Sequence, residues 1–146
     1  MTRIDFYQID SDEVPLLFTC RLIEKAYRQG RRIYIHTASA EQSALLDELL
    51  WTFRSDRFIP HVLQTATDFS PIKIGNDHEP EEHQDVLINL SQSVPDFFSR
   101  FDRVAEIVPL DGESRHKARE NYRFYKQRGY DLHYHKMKAH KMKANG

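Results

Sequence analysis

A group of positively charged side chains with one aromatic ring among them lies in residues 113–128, a segment that is predicted to form a helix. On a helical wheel of about 100° per residue, the group falls within roughly one quarter of the circumference. Its members are Arg115, Arg119, Tyr122, Arg123 and Lys126. Arginine can hold a carboxylate through two hydrogen bonds, and an aromatic ring adds an apolar or stacking contact. This group, the basic stripe, therefore predicts a surface that binds an acidic ligand.

Two kinds of acidic ligand fit the basic stripe. Ala118 and Tyr125 lie on the adjoining arc and are predicted to face a sheet, while the preceding strand end, residues 108–110, offers an apolar lip. Cations around a small apolar pocket suit an acidic peptide that ends in a hydrophobic residue. They also suit single-stranded nucleic acid, with Tyr122 or Phe124 stacking on bases. The residues alone leave both ligands open, and a merely solvated stripe as well.

The charge of the chain is distributed unevenly. The formal net charge is −1, but residues 112–146 carry ten Lys or Arg and three acids, a balance of +7 against −8 for the rest. An almost neutral average with a basic C-terminal end points to an acidic partner that docks there. Nucleic acid, an acidic peptide and a membrane surface are the classes that carry such charge.

Length and composition narrow the class of protein. A chain of 146 residues with 40% apolar residues fits one globular domain. No apolar run approaches the roughly 20 residues that a membrane span needs, and the first residues lack the pattern of a signal peptide, so a protein that is not exported is expected. Cys20 is the single cysteine, which excludes an intramolecular disulfide and a cysteine-based zinc site.

Motifs for catalysis and cofactor binding are missing from the sequence. The first strand–helix turn, residues 10–15, has three acids and no glycine, whereas a dinucleotide site needs glycines for close approach to the pyrophosphate. There is no P-loop and no Gly-x-Ser-x-Gly nucleophile motif. His133 and His135, like His78 and His83, lack a third ligand at a fixed spacing. We therefore predict no catalytic residue, no cofactor and no metal.

Strands and helices are predicted to alternate along the chain. Strands are expected at 4–9, 32–36, 59–64, 72–74, 85–90 and 103–110, helices at 13–29, 39–53, 95–101 and 113–128, and an extended segment at 130–134. This order predicts a three-layer Rossmann-like α/β domain that lacks a nucleotide-binding loop, with a mainly parallel central sheet and helices on both faces. In the second helix, the predicted inner face is Ala44, Leu45, Leu49 and Leu50.

The predicted domain covers residues 1–134 and is followed by a basic tail, residues 135–146. The tail repeats five residues, His-Lys-Met-Lys-Ala, at 135–139 and again at 140–144. Two copies do not build a repeat fold, so the tail is expected to be solvated and mobile.

Several stretches of this chain occur together in one known family. The most specific are LDELLWTF at 46–53 and FIPH at 58–61, and they are supported by DFY at 5–7, GRR at 30–32, DVLINL at 85–90 and ARENYRxYK at 118–126, where x is any residue. In order and spacing, residues 4–132 resemble the chi subunit of bacterial DNA polymerase III. After His133 no counterpart is recognised.

The resemblance implies an accessory subunit of the clamp loader, cytoplasmic and associated with the replisome, whose transferase chemistry belongs to another subunit. Members bind the acidic C-terminal tail of single-stranded DNA-binding protein and pair with the psi subunit, so that contact with DNA is mainly indirect. Transferred by position, the tail site falls on Val108, Arg115, Arg119, Tyr122, Arg123 and Lys126. Relatives can carry lysine in place of Arg115. Direct binding of single-stranded nucleic acid by the helix and tail is the alternative.

The psi-facing surface falls, by the same resemblance, on Trp51, Phe58, Ile59 and Pro60. Trp51 and Phe58 are also of the residue types that most often belong to a core. However, a tryptophan at a helix end and a phenylalanine just before a strand are typical of interface anchors.

Overall fold

The computed structural model describes residues 2–52, 61–63, 70–76 and 85–138. The strands are β1 Arg3–Ile9, β2 Ile33–His36, β3 Val62–Leu63, β4 Ile72–Gly75, β5 Val86–Asn89, β6 Arg103–Val108 and β7 Asp131–Met137. The helices are α1 Pro15–Arg28, α2 Ala40–Thr52 and α3 Gly112–Gln127, with a short 3-10 helix at Phe98–Arg100.

The strands form one sheet in the order β3-β4-β2-β5-β6-β1-β7, and every pairing between these strands is parallel. Parallel strands need a crossover, and helices on the faces of the sheet supply it. The side chains of α1 and α2 pack on one face, whereas the 3-10 helix and α3 pack on the other. The predicted three-layer α/β fold is therefore confirmed.

Alternation along the strands separates two apolar clusters. In β1, Ile4 and Phe6 point toward α3, while Ile9 points toward α1. Both faces are covered, so the central strands are apolar on both sides, as the sequence at 85–90 predicted. In β2, Tyr34 belongs to the α3 face, and Ile33 and Ile35 belong to the opposite face.

The predicted inner face of α2 is wrong for two of its four residues. Ala44 is exposed and 59% of Leu45 is exposed, whereas Leu46 and Leu50 are buried. The helix turns Leu46 and Leu50, four residues apart, onto the sheet, with Ser43 buried one turn earlier. Leu45 therefore belongs to the outer surface of α2.

Two of the other element boundaries differ from prediction for local reasons. The predicted helix at 95–101 is one 3-10 turn, in which Phe98 and Phe101 bury on the α3 face at a three-residue spacing. The strand predicted at 103–110 ends at Val108, because Pro109 has no N–H to continue the ladder. Of the strand predicted at 59–64, Val62–Leu63 is seen and the rest lies outside the described residues.

The extended segment predicted at 130–134 is the edge strand β7, which runs on to Met137 in parallel with β1. The His135 ring stacks on Tyr7, with ring centroids 4.9 Å apart, and its Nε2 lies 2.9 Å from Asp5 Oδ1. These contacts bring residues 135–137, predicted as the start of the tail, into the sheet. Residues 139–146 lie outside the described part of the chain.

A buried polar network ties α3 to the middle of the sheet. The Tyr125 hydroxyl donates a 2.6 Å hydrogen bond to Glu106 Oε2, and Asn89 Nδ2 donates to both carboxylate oxygens at 3.0 Å. Burial raises the pKa of Glu106 to about 7, although the hydrogen bonds from Tyr125 and Asn89 oppose this rise. Burial and the neighbouring carboxylate raise the pKa of Tyr125 as well.

Replacing this carboxylate should change how stability depends on pH. The pKa of Glu106 lies near 7 in the folded state and near 4.5 when unperturbed, so between these values the folded state binds more protons and loses stability as the pH rises. Between pH 4.5 and 7, the unfolding free energy of the natural protein should fall relative to that of Glu106→Gln by up to about 1.4 kcal/mol per pH unit. Urea titrations at several pH values measure this difference.

The matched control is Glu113→Gln, which removes an exposed carboxylate from the first turn of α3. Its unfolding free energy should change with pH as that of the natural protein does. If the unfolding free energy of Glu106→Gln also changes with pH in that way, the buried, proton-binding role of Glu106 is contradicted.

Candidate acidic-ligand docking surface

The start of α3 is held by side chains on both sides of its first turn. Asp111 is the N-cap, and its carboxylate accepts from the Ser114 N–H and the Ser114 hydroxyl, both at 2.8 Å. These bonds keep the pKa of Asp111 low. The Gln92 side-chain amide donates to the Ser114 hydroxyl at 2.6 Å, and the backbone carbonyl of Gln92 accepts from the Asn121 side-chain amide at 3.2 Å. The helix that carries the basic stripe is thus fixed to the loop that follows β5.

The rotation of α3 directs the basic stripe toward the edge strand β7. Ala118 and Tyr125 are buried against the sheet, as predicted. Tyr122 is half-buried, and its ring lies 5.5 Å from that of Phe6 and 6.1 Å from that of Tyr134 on β7. The positive charge of Arg119 also acts on the Tyr134 hydroxyl. The stripe and the α3 face of β7 therefore form one continuous surface.

The members of the stripe differ in how exposed they are. Arg119, Arg123 and Lys126 are exposed, and none of them has an ion pair within the described residues. Arg115 is half-buried instead, and its Nη2 donates to the Ile9 carbonyl at 3.1 Å and to Asp10 Oδ1 at 2.8 Å. Three cations are thus presented to solvent, and the fourth is held by an acid of this chain.

The apolar lip predicted beside the helix start is formed by other residues than Val108. Val108 is 2% exposed and lies in the cluster under α3. Pro109 is half-buried and Leu110 is 50% exposed, so these two offer the accessible apolar surface at the strand end. Val108 can contribute only the floor of a pocket here.

Two residues of this surface were missed in the sequence, both from β7. The Tyr134 ring is 42% exposed and stacks on Phe6 with centroids 5.7 Å apart, and its hydroxyl donates to Gln8 Oε1 at 2.5 Å. Lys136 is exposed on the same face, and its charge reaches Asp10. The alternating polar and apolar residues at 131–137 were the available signal, but the extended segment was predicted to end at 134.

The carboxyl ends of β1 and β6 form the point from which α1 and α3 leave toward opposite faces. In open α/β sheets, the crevice at such a point is where nucleotides bind. Here it contains the pair of Asp10 and Arg115, and the Asp10 carboxylate would repel a phosphate. The pKa of Asp10 is lowered by hydrogen bonds from Gln8 and Arg115. The crevice therefore presents an ion pair of the protein itself.

The two histidines of β7 each face a separate carboxylate. His133 Nε2 lies 3.0 Å from Asp131 Oδ1, and His135 Nε2 lies 2.9 Å from Asp5 Oδ1. Within the described residues, no group of three or more His, Cys, Asp or Glu side chains could hold a metal ion.

No helix in the part of the chain that the structure describes is long and apolar enough to cross a membrane.

The second predicted surface is described in part. Trp51 stands at the end of α2 with 53% of its surface exposed, and its ring lies 4.6 Å from that of the buried His61. His61 Nε2 in turn lies 3.2 Å from the Asp47 carbonyl oxygen. Phe58, Ile59 and Pro60 lie outside the described residues. Trp51 is thus accessible and oriented by a buried neighbour.

The role of the Tyr134 ring in joining β7 to α3 can be measured. Tyr134→Ala should lower the unfolding free energy by about 1–3 kcal/mol, because it removes the ring contacts with Phe6 and Tyr122. Tyr134→Phe keeps the ring and loses one exposed hydrogen bond, so it should cost about 1 kcal/mol or less. Urea denaturation of both variants gives the two values, and equal losses would mean that the hydrogen bond rather than the ring holds the strand.

Comparison with known proteins places this chain in a family. Residues 1–133 match the family described as DNA polymerase III chi subunit, HolC. The DNA polymerase III subunit chi of Pseudomonas aeruginosa is 43% identical over 139 residues, covering 94% of this chain and 98% of that protein. The subunit chi of Haemophilus influenzae is 34% identical over 116 residues, covering 77% and 81%. That of Escherichia coli is 28% identical over 141 residues, covering 90% and 96%. The chain therefore belongs to the DNA polymerase III chi subunit family.

Proposed function

We propose that this protein is a non-catalytic accessory subunit of the DNA polymerase III holoenzyme in replication. It binds the acidic C-terminal tail of single-stranded DNA-binding protein through the basic stripe and pairs with the psi subunit through the surface around Trp51. It thereby links the clamp loader to lagging-strand DNA that is coated by that protein. The observation that carries the proposal is the acid-poor stripe of exposed cations beside exposed aromatic and aliphatic side chains.

The charge state of the stripe supports a carboxylate-rich ligand. Arg119 and Arg123 are exposed and have no ion pair within the described residues, so a ligand does not have to displace an acid of this chain. Each guanidinium can take a carboxylate in a bidentate pair. Arg115 keeps its bond to Asp10, whose carboxylate offsets its charge at the end of the stripe. Much of the affinity comes from exposed charge, so it should be modest and should fall with salt.

The apolar side chains around the stripe support a ligand with a hydrophobic end. Tyr122 is half-buried among the cations of the stripe, and Leu110 is half exposed at the strand end. A terminal phenylalanine would pack beside Tyr122, with Val108 as the floor and Leu110 as the lip. Bare nucleic acid would use the same cations but would leave this apolar contact without a specific partner.

Peptide titration tests the stripe. A fluorescent acidic peptide ending in Asp-Asp-Ile-Pro-Phe should bind the natural protein, and Arg119→Ala and Tyr122→Ala should each weaken binding by about tenfold or more, since each removes a direct contact. Lys117→Ala is the control, because it removes one exposed charge from α3 outside the stripe. It should change the dissociation constant by less than about threefold.

A second arm of the same titration separates the two ligand classes. A bare single-stranded oligonucleotide should bind more weakly than the peptide. If Arg119→Ala and Tyr122→Ala leave peptide binding unchanged, the assigned site is wrong. If the oligonucleotide binds tightly and the peptide does not, direct binding of nucleic acid is the function.

The exposure of Trp51 supports the psi-facing surface. A tryptophan that is half exposed at a helix end is an unusual feature for a solvated surface and a frequent anchor in interfaces. Its ring is supported by His61, which is itself 5% exposed, so the anchor is oriented before a partner arrives. Because α2 packs on the face opposite α3, the two partners can be held at the same time.

Substitution of Trp51 tests this second surface. Trp51→Ala should weaken capture by the psi subunit by about tenfold or more while leaving peptide affinity unchanged, because the two surfaces lie on opposite faces. Leu45→Ala is the matched control, since it truncates an equally exposed apolar residue on another side of α2. Phe58→Ala should behave like Trp51→Ala. Loss of both psi and peptide binding would indicate a folding defect instead.

A further inference from the structure

The outer edge of β7 is a free edge of the sheet among the described residues. β7 is seven residues long and pairs with β1 along its full length, from Arg3 opposite Asp131 to Ile9 opposite Met137. The sheet order ends at β7, so its other edge has no neighbouring strand in the described structure. Such an edge presents a row of backbone donors and acceptors that can pair with another extended chain.

The register identifies which backbone groups face outward. The Asp10 N–H donates to the Met137 carbonyl oxygen at 2.9 Å, so the carbonyl of Met137 points toward β1. The N–H and C=O of a strand residue point to the same side, and successive residues alternate between the two sides. The backbone groups that point toward β1 are therefore those of residues 131, 133, 135 and 137. The outward groups therefore belong to Leu132, Tyr134 and Lys136.

The same three residues place their side chains on the α3 face. Tyr134 shows this directly, because its ring contacts Phe6 and Tyr122 there, and the strand alternation puts Leu132 and Lys136 on the same side. A strand added at about 4.8 Å from β7 would therefore present every second side chain to the surface beside the basic stripe. Backbone pairing and charge pairing would occur on one ligand at once.

We infer that the acidic peptide is bound by strand addition: its extended backbone pairs with the outward N–H and C=O groups of Leu132, Tyr134 and Lys136. Side chains on one face of the added peptide then carry carboxylates to Arg119 and Lys136, whose charges act on the Tyr134 and Asp10 side chains at this face. This inference rests on the proposed function, because it assigns the binding mode of the same ligand. Main-chain hydrogen bonds give affinity that depends little on side chains, and the stripe selects a carboxylate on the face of the peptide that meets it.

Charge favours an acidic peptide over the other possible occupants of this edge. A second copy of this chain, paired through the same edge, would bring the Lys136 side chains and the basic stripes of both copies close together. Like charges oppose that contact. The chain's own residues 139–146 include Lys141 and Lys143 and no acid, so they carry the same sign as the stripe. An acidic strand meets opposite charge at Lys136 and at the exposed cations of the basic stripe.

Backbone methylation of the peptide tests the binding mode. Two series of the acidic peptide ending in Asp-Asp-Ile-Pro-Phe carry N-methyl groups on alternating residues upstream of its proline, in complementary registers. In strand addition only one register faces β7, so one series should lose about tenfold or more in affinity and the other less than about threefold. Equal affinities in the two series, whether both are retained or both are lost, would overturn strand addition.

A pair of protein variants tests the same bond from the other side. Lys136→Ala removes the charge and keeps the outward N–H, whereas Lys136→Pro removes both without breaking a hydrogen bond to β1. Lys136→Pro should bind the peptide about tenfold or more weakly than Lys136→Ala at equal thermal stability. Equal affinity of the two variants would contradict the inference.

The outcome separates the inference from the function on which it rests. If the unmodified peptide fails to bind the natural protein, the proposed function is wrong. If it binds and the methylated series do not differ, the function stands and strand addition is wrong. If Lys136→Pro is less stable than Lys136→Ala, the comparison is made between Leu132→Pro and Leu132→Ala instead. Leu132→Pro removes a second outward N–H.

Discussion

The hydrogen bond between the Tyr125 hydroxyl and the buried Glu106 carboxylate determines how α3 lies on the sheet. It acts with Ala118, which is buried on the same side of the helix, so the rotation of α3 about its axis has one solution. A rotation by one residue would bury a cation and expose Tyr125. The direction of the basic stripe is thus a consequence of a polar contact in the core, on the far side of the helix from any ligand.

Strand β1, next to the edge strand β7, connects the features on which the proposed function depends. It pairs with β6 on one side and with β7 on the other, and it carries Phe6 beneath both Tyr122 and Tyr134. Its last residue lies beside Arg115, which joins the strand end to the first turn of α3. The docking surface is therefore assembled on a rigid strand, although its contacting side chains come from a helix and an edge strand.

Two kinds of arginine can be distinguished: Arg3 and Arg103 are paired with a buried acid, whereas Arg119 and Arg123 are exposed to solvent and can bind a ligand. Asp5 is almost fully buried, and although burial opposes it, hydrogen bonds from His135, Arg3 and Arg103 hold the pKa of Asp5 below its ordinary value. Arg3 and Arg103 thus share one buried acid and hold the sheet together. Arg119 and Arg123 have no such acid within the described residues. Counting charges along the sequence cannot separate these groups, because Asp5 and Arg103 are far apart in the chain.

The amino-acid sequence by itself determined the order of strands and helices, the parallel sheet, the buried side of α3 and the grouping of the basic stripe. Each of these follows from periodicity along a contiguous segment. Only the tertiary structure decided that Arg115 is held by Asp10, that Val108 lies beneath the helix, and that Leu45 faces outward from α2. It also decided that residues 135–137 belong to the sheet and bring Lys136 to the docking surface. Most of these outcomes depend on contacts between segments that are distant in the chain, which local patterns do not encode. In α2, apolar residues occupy positions 44–46 and 49–51, so periodicity alone does not single out one buried side.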